Sequence, residues 1–244
     1  MKSYLFIIAL LFTLAGCTKD ARQPQPKALS YLMVYNGDAD AYGVNSMVLI
    51  NNKYYGDRTY NDNGAGLVGA FNFARYANID TGLYRIAFTD TNRNLDKAKK
   101  ITESLFDLHD KKHYTIYLMD SLGFYHTTYT PDDVERDPKE AKIRLINLSP
   151  DAGQVYCKID SITVKEIKPL AYTQFSDYGP VSPNVKPGIR IMYRDPATGT
   201  EQLLIRKSFA LEAGKCYTMI LRGYRNPIDG NPNKTINLST ITNF

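Results

Sequence analysis

The sequence predicts an all-β protein that consists of two tandem antiparallel β-sandwiches behind a signal peptide. Two observations carry this prediction. Short runs rich in β-branched and aromatic residues recur along the chain and are bounded by Gly, Asn, Asp and Pro, a pattern typical of strands and turns. Four sequence blocks also recur in the same order at offsets of 103 to 111 residues, which is too long for a solenoid repeat and indicates a duplicated domain.

The repeated blocks give the two halves their boundaries. Val34-Tyr35-Asn36 parallels Leu145-Ile146-Asn147, residues 82–88 parallel 188–193, Phe106-Asp107-Leu108 parallels Phe209-Ala210-Leu211, and residues 112–116 parallel 215–219. Between the halves, residues 131–140 are charged and contain two prolines, which is typical of a linker. We therefore predict an N-terminal β-sandwich over residues 30–130 and a C-terminal β-sandwich over residues 141–244.

The start of the chain predicts export and a lipid anchor. Lys2 precedes an apolar run over residues 4–14, and this run is too short to span a bilayer as a helix. The following Leu14-Ala15-Gly16-Cys17 resembles the lipobox of bacterial lipoproteins, in which the cysteine becomes the lipidated first residue. We expect residues 1–16 to be the signal peptide, Cys17 to carry the lipid, and residues 17–29 to form a flexible tether. The predicted location is the outer membrane, on its periplasmic or its surface face.

Strands are predicted in corresponding places of the two halves. They cover residues 31–35, 47–50 and 84–88 in the first half and 143–146, 188–193 and 217–221 in the second. Leu95, Ala98, Ile101 and Leu105 stand near helical spacing, but the counterpart at residues 202–209 follows the pattern of a strand, so both segments are predicted as strands. Residues 195–200 and 212–215 are predicted as hairpin turns.

The two remaining cysteines are predicted to face opposite sides of their strands. Cys157 alternates with Val155 and Ile159 on the apolar face, whereas Cys216 precedes the apolar Tyr217 and so points the other way. This arrangement argues against a disulfide, although an oxidising compartment would allow one.

The second half also resembles a known family. Its opening residues 143–152, the run Val155-x-Cys157-x-Ile159-Asp160, the turn Lys186-Pro187-Gly188 and the closing residues 211–218 are similar to motifs of the bacterial domain-of-unknown-function family 4397. The resemblance covers residues 141–225, and the first half looks like a degenerate copy. It implies secreted or lipid-anchored immunoglobulin-like β-sandwiches without an established activity, and it supplies no site residues.

Charge and motifs argue against several classes of function. The formal net charge of +5 is spread along the chain without a dense Lys/Arg cluster, so no nucleic-acid partner is predicted. The chain has no nucleophile elbow, phosphate-binding loop, dinucleotide fingerprint or cysteine-rich metal box. We therefore predict no enzymatic activity, no cofactor and no metal site. Ser149-Pro150-Asp151-Ala152 is interpreted as a turn, and the His109/His113 pair as two residues on either side of a turn rather than zinc ligands.

One segment has the composition of a binding site. Residues 51–76 combine aromatic rings with Asn, Asp and Arg side chains, a mixture that contacts sugars and protein epitopes alike. The candidate ligand-binding residues are Tyr54, Tyr55, Tyr60, Asn61 and Asp62, with core and turn positions as the alternative interpretation. The predicted function is a non-catalytic, lipid-anchored cell-envelope protein that acts as a binding or structural accessory module, with an envelope protein or a glycan as partner. The alternative is a surface glycan-binding lipoprotein that uses this segment.

Overall fold

The computed structural model describes residues 27–38, 46–55, 76–92, 94–132 and 135–243 of the chain. Within these ranges the strands form four four-stranded sheets, and the only helical element is the 3-10 helix Pro232–Lys234. The predicted all-β fold class is therefore confirmed. The described residues include no helix with the length and hydropathy needed to cross a bilayer.

The first half contributes two of the sheets, with strand orders β4-β1-β7-β8 and β3-β2-β5-β6. Its strands are β1 (Leu29–Asn36), β2 (Met47–Ile50), β3 (Lys53–Tyr54), β4 (Ala77–Asp80), β5 (Gly82–Thr89), β6 (Lys100–Leu108), β7 (His113–Ser121) and β8 (Phe124–Pro131).

The second half contributes the other two sheets, with strand orders β12-β9-β15-β16 and β11-β10-β13-β14. Its strands are β9 (Ala141–Asn147), β10 (Val155–Ile159), β11 (Ile162–Thr163), β12 (Gly179–Val181), β13 (Ile189–Arg194), β14 (Glu201–Lys207), β15 (Cys216–Arg222) and β16 (Asn237–Thr242).

The two halves share one strand order, because adding eight to each strand number of the first half gives the order of the second. In each half the first strand pairs in parallel with the seventh, as β1 with β7 and β9 with β15. All other pairs of named strands are antiparallel. The prediction of antiparallel sheets therefore misses one parallel pair in each half.

Each half packs its two sheets around its own apolar core. Alternate residues of the strands point inward, as the two-residue period of a strand requires. The first core includes Leu32, Val34, Ile86, Phe88, Ile116 and Leu118. The second core includes Ile143, Leu145, Cys157, Ile191, Tyr217 and Met219.

Most of the predicted strands are confirmed, but two connections differ from the prediction. Leu95 and Ala98 lie in a turn that precedes β6, so only the later part of that segment is a strand. Residues 195–200 form the predicted hairpin turn, because β13 pairs with β14. The hairpin prediction for residues 212–215 is wrong: this turn leaves β14 in one sheet and enters β15 in the other.

The connection between the halves begins later than predicted. Pro131 is the last residue of β8, and the side chain of Asp132 is fully buried. Residues 131–132 therefore belong to the folded body rather than to a linker. The predicted signal peptide, the predicted lipidation site Cys17 and most of the predicted tether lie outside the described residues.

Candidate functional site

The two halves are joined by a third apolar cluster, which we call the seam. It contains Met33, Tyr117 and Met119 of the first half and Ile146, Leu148, Ile220 and Ile241 of the second. These side chains point away from the cores of their own halves, so the sheets that contain β1 and β9 are buried on both faces. The two halves also approach each other closely at Gly37, where a Cβ atom would lie 2.6 Å from Cδ1 of Leu148. The four sheets therefore form one continuous packed body.

A buried ion pair also joins the two halves, next to the apolar side chains of the seam. The guanidinium of Arg144 on β9 contacts the carboxylate of Asp132 at the end of β8, and their side chains are 1% and 0% exposed. Arg144 also donates from Nη1 to the carbonyl of Pro131 (2.8 Å), from Nη2 to Oγ1 of Thr130 (2.7 Å) and from Nε to Oγ1 of Thr218 (2.8 Å). Burial alone would lower the pKa of Arg144, but the nearby tyrosines and Asp132 raise it above the usual value. The cation is thus held permanently charged inside the protein.

The carboxylate of Asp132 is equally well satisfied. Its Oδ2 accepts from the hydroxyls of Thr115 and Tyr76, the latter at 2.7 Å, and its Oδ1 accepts from Thr130 at 2.8 Å. The Tyr76 hydroxyl in turn accepts a bond of 2.9 Å from Nδ2 of Asn243 in the second half. A buried polar network of this kind fixes one arrangement of the groups around it, because any slip would leave charged or polar atoms without partners.

This network has nearly the same parts in both halves. The strand pairing aligns the two halves. Leu32 pairs with Ala77 and Tyr114 in the first half, and Ile143 pairs with Gly179 and Tyr217 in the same way in the second, so Leu32 and Ile143 occupy equivalent positions. The equivalent residues are Tyr76 and Tyr178, Thr115 and Thr218, and Asp132 and Asn243. Thr218 donates to Oδ1 of Asn243 at 2.7 Å, just as Thr115 donates to Asp132. The symmetry ends at Arg144, because its equivalent in the first half is Met33.

A second polar bridge joins the halves near the β7–β8 turn. The Tyr224 hydroxyl donates to Oδ2 of Asp120 (3.0 Å) and accepts from the amide of Leu122 (2.8 Å). The Tyr172 hydroxyl contacts both the carbonyl of Asp120 and Nε2 of His126. An open pocket of about 210 Å³ lies beside this bridge. It is lined by Leu122, Tyr224, Pro227, Ile228, Asp229 and Lys234.

The predicted ligand-binding tyrosines that the structure describes have different surroundings. Tyr55 packs against the core of the first half. Tyr54 lies opposite Leu49 in the sheet, is partly exposed, and donates from its hydroxyl to the carbonyl of Asn92 at 2.6 Å. The remaining candidates, Tyr60, Asn61 and Asp62, lie outside the described residues. Both described tyrosines are therefore partly exposed, and Tyr55 is the one of the two that packs against a core cluster.

The serine, aspartate and histidines that the sequence analysis interpreted as turn residues form hydrogen bonds or ring contacts within the fold. The Ser149 hydroxyl donates to the carbonyl of Gly223 at 2.6 Å, and the Asp151 carboxylate accepts from the amides of Arg225 and Asn226. His113 stacks on Tyr31 with ring centroids 4.3 Å apart, whereas His109 lies on the other side of the turn. No cluster of three metal-ligating side chains occurs in the described part of the chain.

Both described cysteines are free and buried. Cys157 faces the core of the second half, as predicted, and Cys216 lies on the opposite face of its own strand from the core residue Tyr217. Burial raises the pKa of Cys157 to about 12 and also raises that of Cys216. Cys216 is nevertheless fully buried, because the outward face of β15 is covered.

The seam is the feature that the sequence analysis missed. The sequence did contain a signal for it, since Thr115, Tyr117 and Met119 alternate with Tyr114, Ile116 and Leu118 on the two faces of β7. A strand with large side chains on both faces is typical of a sheet covered on both sides. Arg144, which lies between the apolar residues Ile143 and Leu145 of β9, was a second signal.

Comparison with known proteins identifies a family, but the function of that family is unknown. No curated protein matches the chain in sequence. A structure of a putative cell adhesion protein from Bacteroides uniformis is 9% identical, covers 88% of this chain and 98% of its own, and superimposes with a TM-score of 0.25. A second, of a putative cell adhesion protein from Bacteroides eggerthii, is 10% identical, with coverages of 88% and 95% and a TM-score of 0.24. Neither superposition is close enough to establish a common fold.

The family profile gives a firmer result. A family described as "Domain of unknown function (DUF4397)" matches residues 30–158, which is more than half of the 244-residue chain. The predicted family is thus confirmed. The match lies mostly on the first half, which the sequence motifs had marked as the degenerate copy, and includes only the beginning of the second. The chain belongs to the DUF4397 family.

Proposed function

We propose that this protein is a non-catalytic, lipid-anchored module of the cell envelope that acts as a rigid binding or spacer unit. In this proposal the two halves are tandem immunoglobulin-like β-sandwiches. The lipid on Cys17 holds them at the outer membrane, and residues 17–29 separate them from it. The partner is an envelope protein or a glycan.

The seam is the observation that carries this proposal. Separating the halves would expose its apolar side chains to water and would leave Arg144 without its carboxylate. Removing one partner from a buried ion pair costs about 3–5 kcal/mol, so the two halves are expected to move as one body. A unit that presents a binding surface of fixed shape at the end of a flexible tether requires this rigidity.

The bonding of the chemically reactive residues also supports a non-catalytic role. Ser149 and Asp151 secure backbone groups in a turn, and the ion pair of Arg144 and Asp132 is enclosed in the seam. A nucleophile or an acid–base pair would need access to a substrate.

Glycan binding through the first half is the second candidate function. It is favoured by Tyr54, a partly exposed residue of the Tyr/Asn-rich segment 51–76. In this version Tyr54, Tyr60, Asn61 and Asp62 contact the sugar, and Tyr55 supports the site from the core.

The rigid-body proposal is tested by measuring distances between spin labels in the chain that carries Cys17→Ser. Labels on Leu83→Cys and Leu203→Cys report on the two halves, because both side chains are exposed. Labels on Leu83→Cys and Phe124→Cys, both in the first half, are the matched control. The native Cys157 and Cys216 are buried and are expected to stay unlabelled. We expect the distance distribution between the halves to be as narrow as that of the control. A broad or two-peaked distribution would contradict a rigid unit.

A further inference from the structure

The outward face of the sheet β11-β10-β13-β14 has an unusual arrangement of positive charge. Lys158 on β10 lies directly opposite Arg190 on β13, and Arg190 lies directly opposite Arg206 on β14. Three cations therefore stand side by side across three neighbouring strands. Like charges in directly opposite positions of a sheet destabilise it, so this row needs compensation by anions.

Among the residues that the structure describes, only one of the three cations, Lys158, has an anionic partner. Lys158 turns along the sheet to Glu201, with Nζ 2.6 Å from Oε2. The hydrogen bond from Lys158 is the largest cause that lowers the pKa of Glu201 to about 2. Glu201 is thereby occupied, and Arg194 lies on its other oxygen at 3.6 Å.

The two arginines lack such a partner among the residues that the structure describes. Nη1 of Arg190 donates to the Ser161 hydroxyl at 3.0 Å, and no bond or ion pair joins Arg206 to another described residue. The carboxylate of Asp160 nearby accepts instead from the amide of Gly188 at 2.7 Å and from Nδ2 of Asn184. Neither guanidinium thus forms an ion pair with a described carboxylate, although the Asp160 carboxylate and the Arg206 guanidinium both lie close to Gly188.

An apolar row borders these arginines on the same face. Tyr156, Met192 and Leu203 lie directly opposite one another. Tyr156 and Met192 are two residues from Lys158 and Arg190, and Leu203 is three residues from Arg206 because the register of β13 and β14 shifts there. Leu203 is 52% exposed, whereas Tyr156 is 7% exposed. The face offers planar donors for carboxylates beside a shallow apolar strip.

The weakness of exposed ion pairs decides what kind of ligand this face fits. A single exposed pair changes an affinity by only about twofold to fivefold, so a small anion would gain little here. A linear polymer with repeated carboxylates contacts both arginines at once. When one carboxylate is bound, the neighbouring units of the polymer are held close to the second arginine, which raises the overall affinity. The apolar faces of its sugar rings would cover Met192 and Leu203.

We propose that this face binds an acidic linear polysaccharide, with Arg190 and Arg206 contacting carboxylates of uronic-acid units. This inference rests on the proposed binding role and names the class of ligand. It does not depend on the lipid anchor. If this face binds no polysaccharide, the membrane location and the rigidity of the body remain to be tested separately, by Cys17→Ser and by the spin-label distances.

The test measures binding of polygalacturonate to the chain that carries Cys17→Ser. The double variant Arg190→Gln, Arg206→Gln is expected to bind about tenfold more weakly, since each exposed pair contributes up to about fivefold. The matched control is Lys97→Gln, Lys139→Gln, which removes the same charge from two exposed lysines elsewhere. Thermal melts of all three proteins verify that they are folded.

The control should retain its affinity within twofold, and the affinity of the parent chain should fall as salt is added. Neutral dextran and monomeric galacturonate should not bind measurably. An equal loss of affinity for polygalacturonate in both double variants would show that binding depends on net charge alone, and this would overturn the proposal. Unchanged affinity of the arginine variant would overturn it as well. Arginine-dependent binding to phosphatidylglycerol vesicles without binding to polygalacturonate would instead identify a lipid surface as the ligand.

Discussion

Removing the carboxylate of Asp132 should destabilise the whole protein. Asp132→Asn preserves the shape of the side chain but leaves the Arg144 cation buried without a counter-charge. Breaking a buried ion pair in this way costs about 3–5 kcal/mol. For a chain of this size, 1 kcal/mol corresponds to about 2–4 °C in Tm, so the expected decrease is about 6–20 °C.

The same chemical change at an exposed ion pair provides the matched control. Lys27 and Asp80 are 2.6 Å apart with side chains that are 70% and 49% exposed. Asp80→Asn is expected to change the free energy of unfolding by less than about 1 kcal/mol. Urea denaturation of both variants, with thermal melts alongside, measures the difference.

A double-mutant cycle isolates the ion pair from other effects of the substitution. Arg144→Gln combined with Asp132→Asn should cost less than the sum of the single variants, because the second change removes the charge that the first left uncompensated. The reasoning is refuted if Asp132→Asn is no more destabilising than Asp80→Asn, since the seam would then not be a buried low-dielectric environment.

Three further predictions concern other parts of the chain. Tyr55→Ala should lower the stability by up to about 3–5 kcal/mol because this ring packs on a core, whereas Tyr54→Ala should melt close to the parent, and equal melting temperatures would contradict this assignment. Cys17→Ser should move the protein from the membrane to the soluble fraction of disrupted cells, and a variant that remains with the membranes through detergent-free washing would exclude lipidation as the anchor. Cys157 and Cys216 should react with a thiol reagent only after unfolding. Since the pKa of Cys157 is raised from 9.0 to about 12, the unfolded state loses this proton first, so its contribution to stability should decline across that pH range.

The strands and the cores were largely predictable from the sequence. The runs at residues 143–146 and 217–221 alternate between two faces, and the structure places Ile143, Leu145 and Met219 in the core as this alternation requires. The turn at residues 195–200 was predictable because Asp, Pro and Gly fix its local geometry. The turn at residues 212–215 has similar local chemistry but crosses between sheets, and only the pairing of distant strands distinguishes the two cases.

The seam was not predictable for a related reason. The alternation in β7 indicates that both faces carry large side chains, but it does not indicate which surface covers the second face. That depends on how two folded halves meet, and the sequence describes each half separately. The binding candidates met a similar limit. Adjacent tyrosines such as Tyr54 and Tyr55 would point to opposite faces if both lay in a strand, but β3 ends at Tyr54, and the sequence indicates neither that boundary nor which face is covered.

The near-symmetry of the seam has a consequence for which halves can pack against each other. Each half contributes the same sheet, as the subunits of a twofold dimer would. Two copies of the second half would bring two Arg144 cations together with only the neutral Asn243 in the position of the acid. Two copies of the first half would bring two Asp132 carboxylates together with Met33 in the position of the cation. Only a first half against a second half supplies one charge of each sign, so the charges favour the pairing found within one chain over self-association of either half.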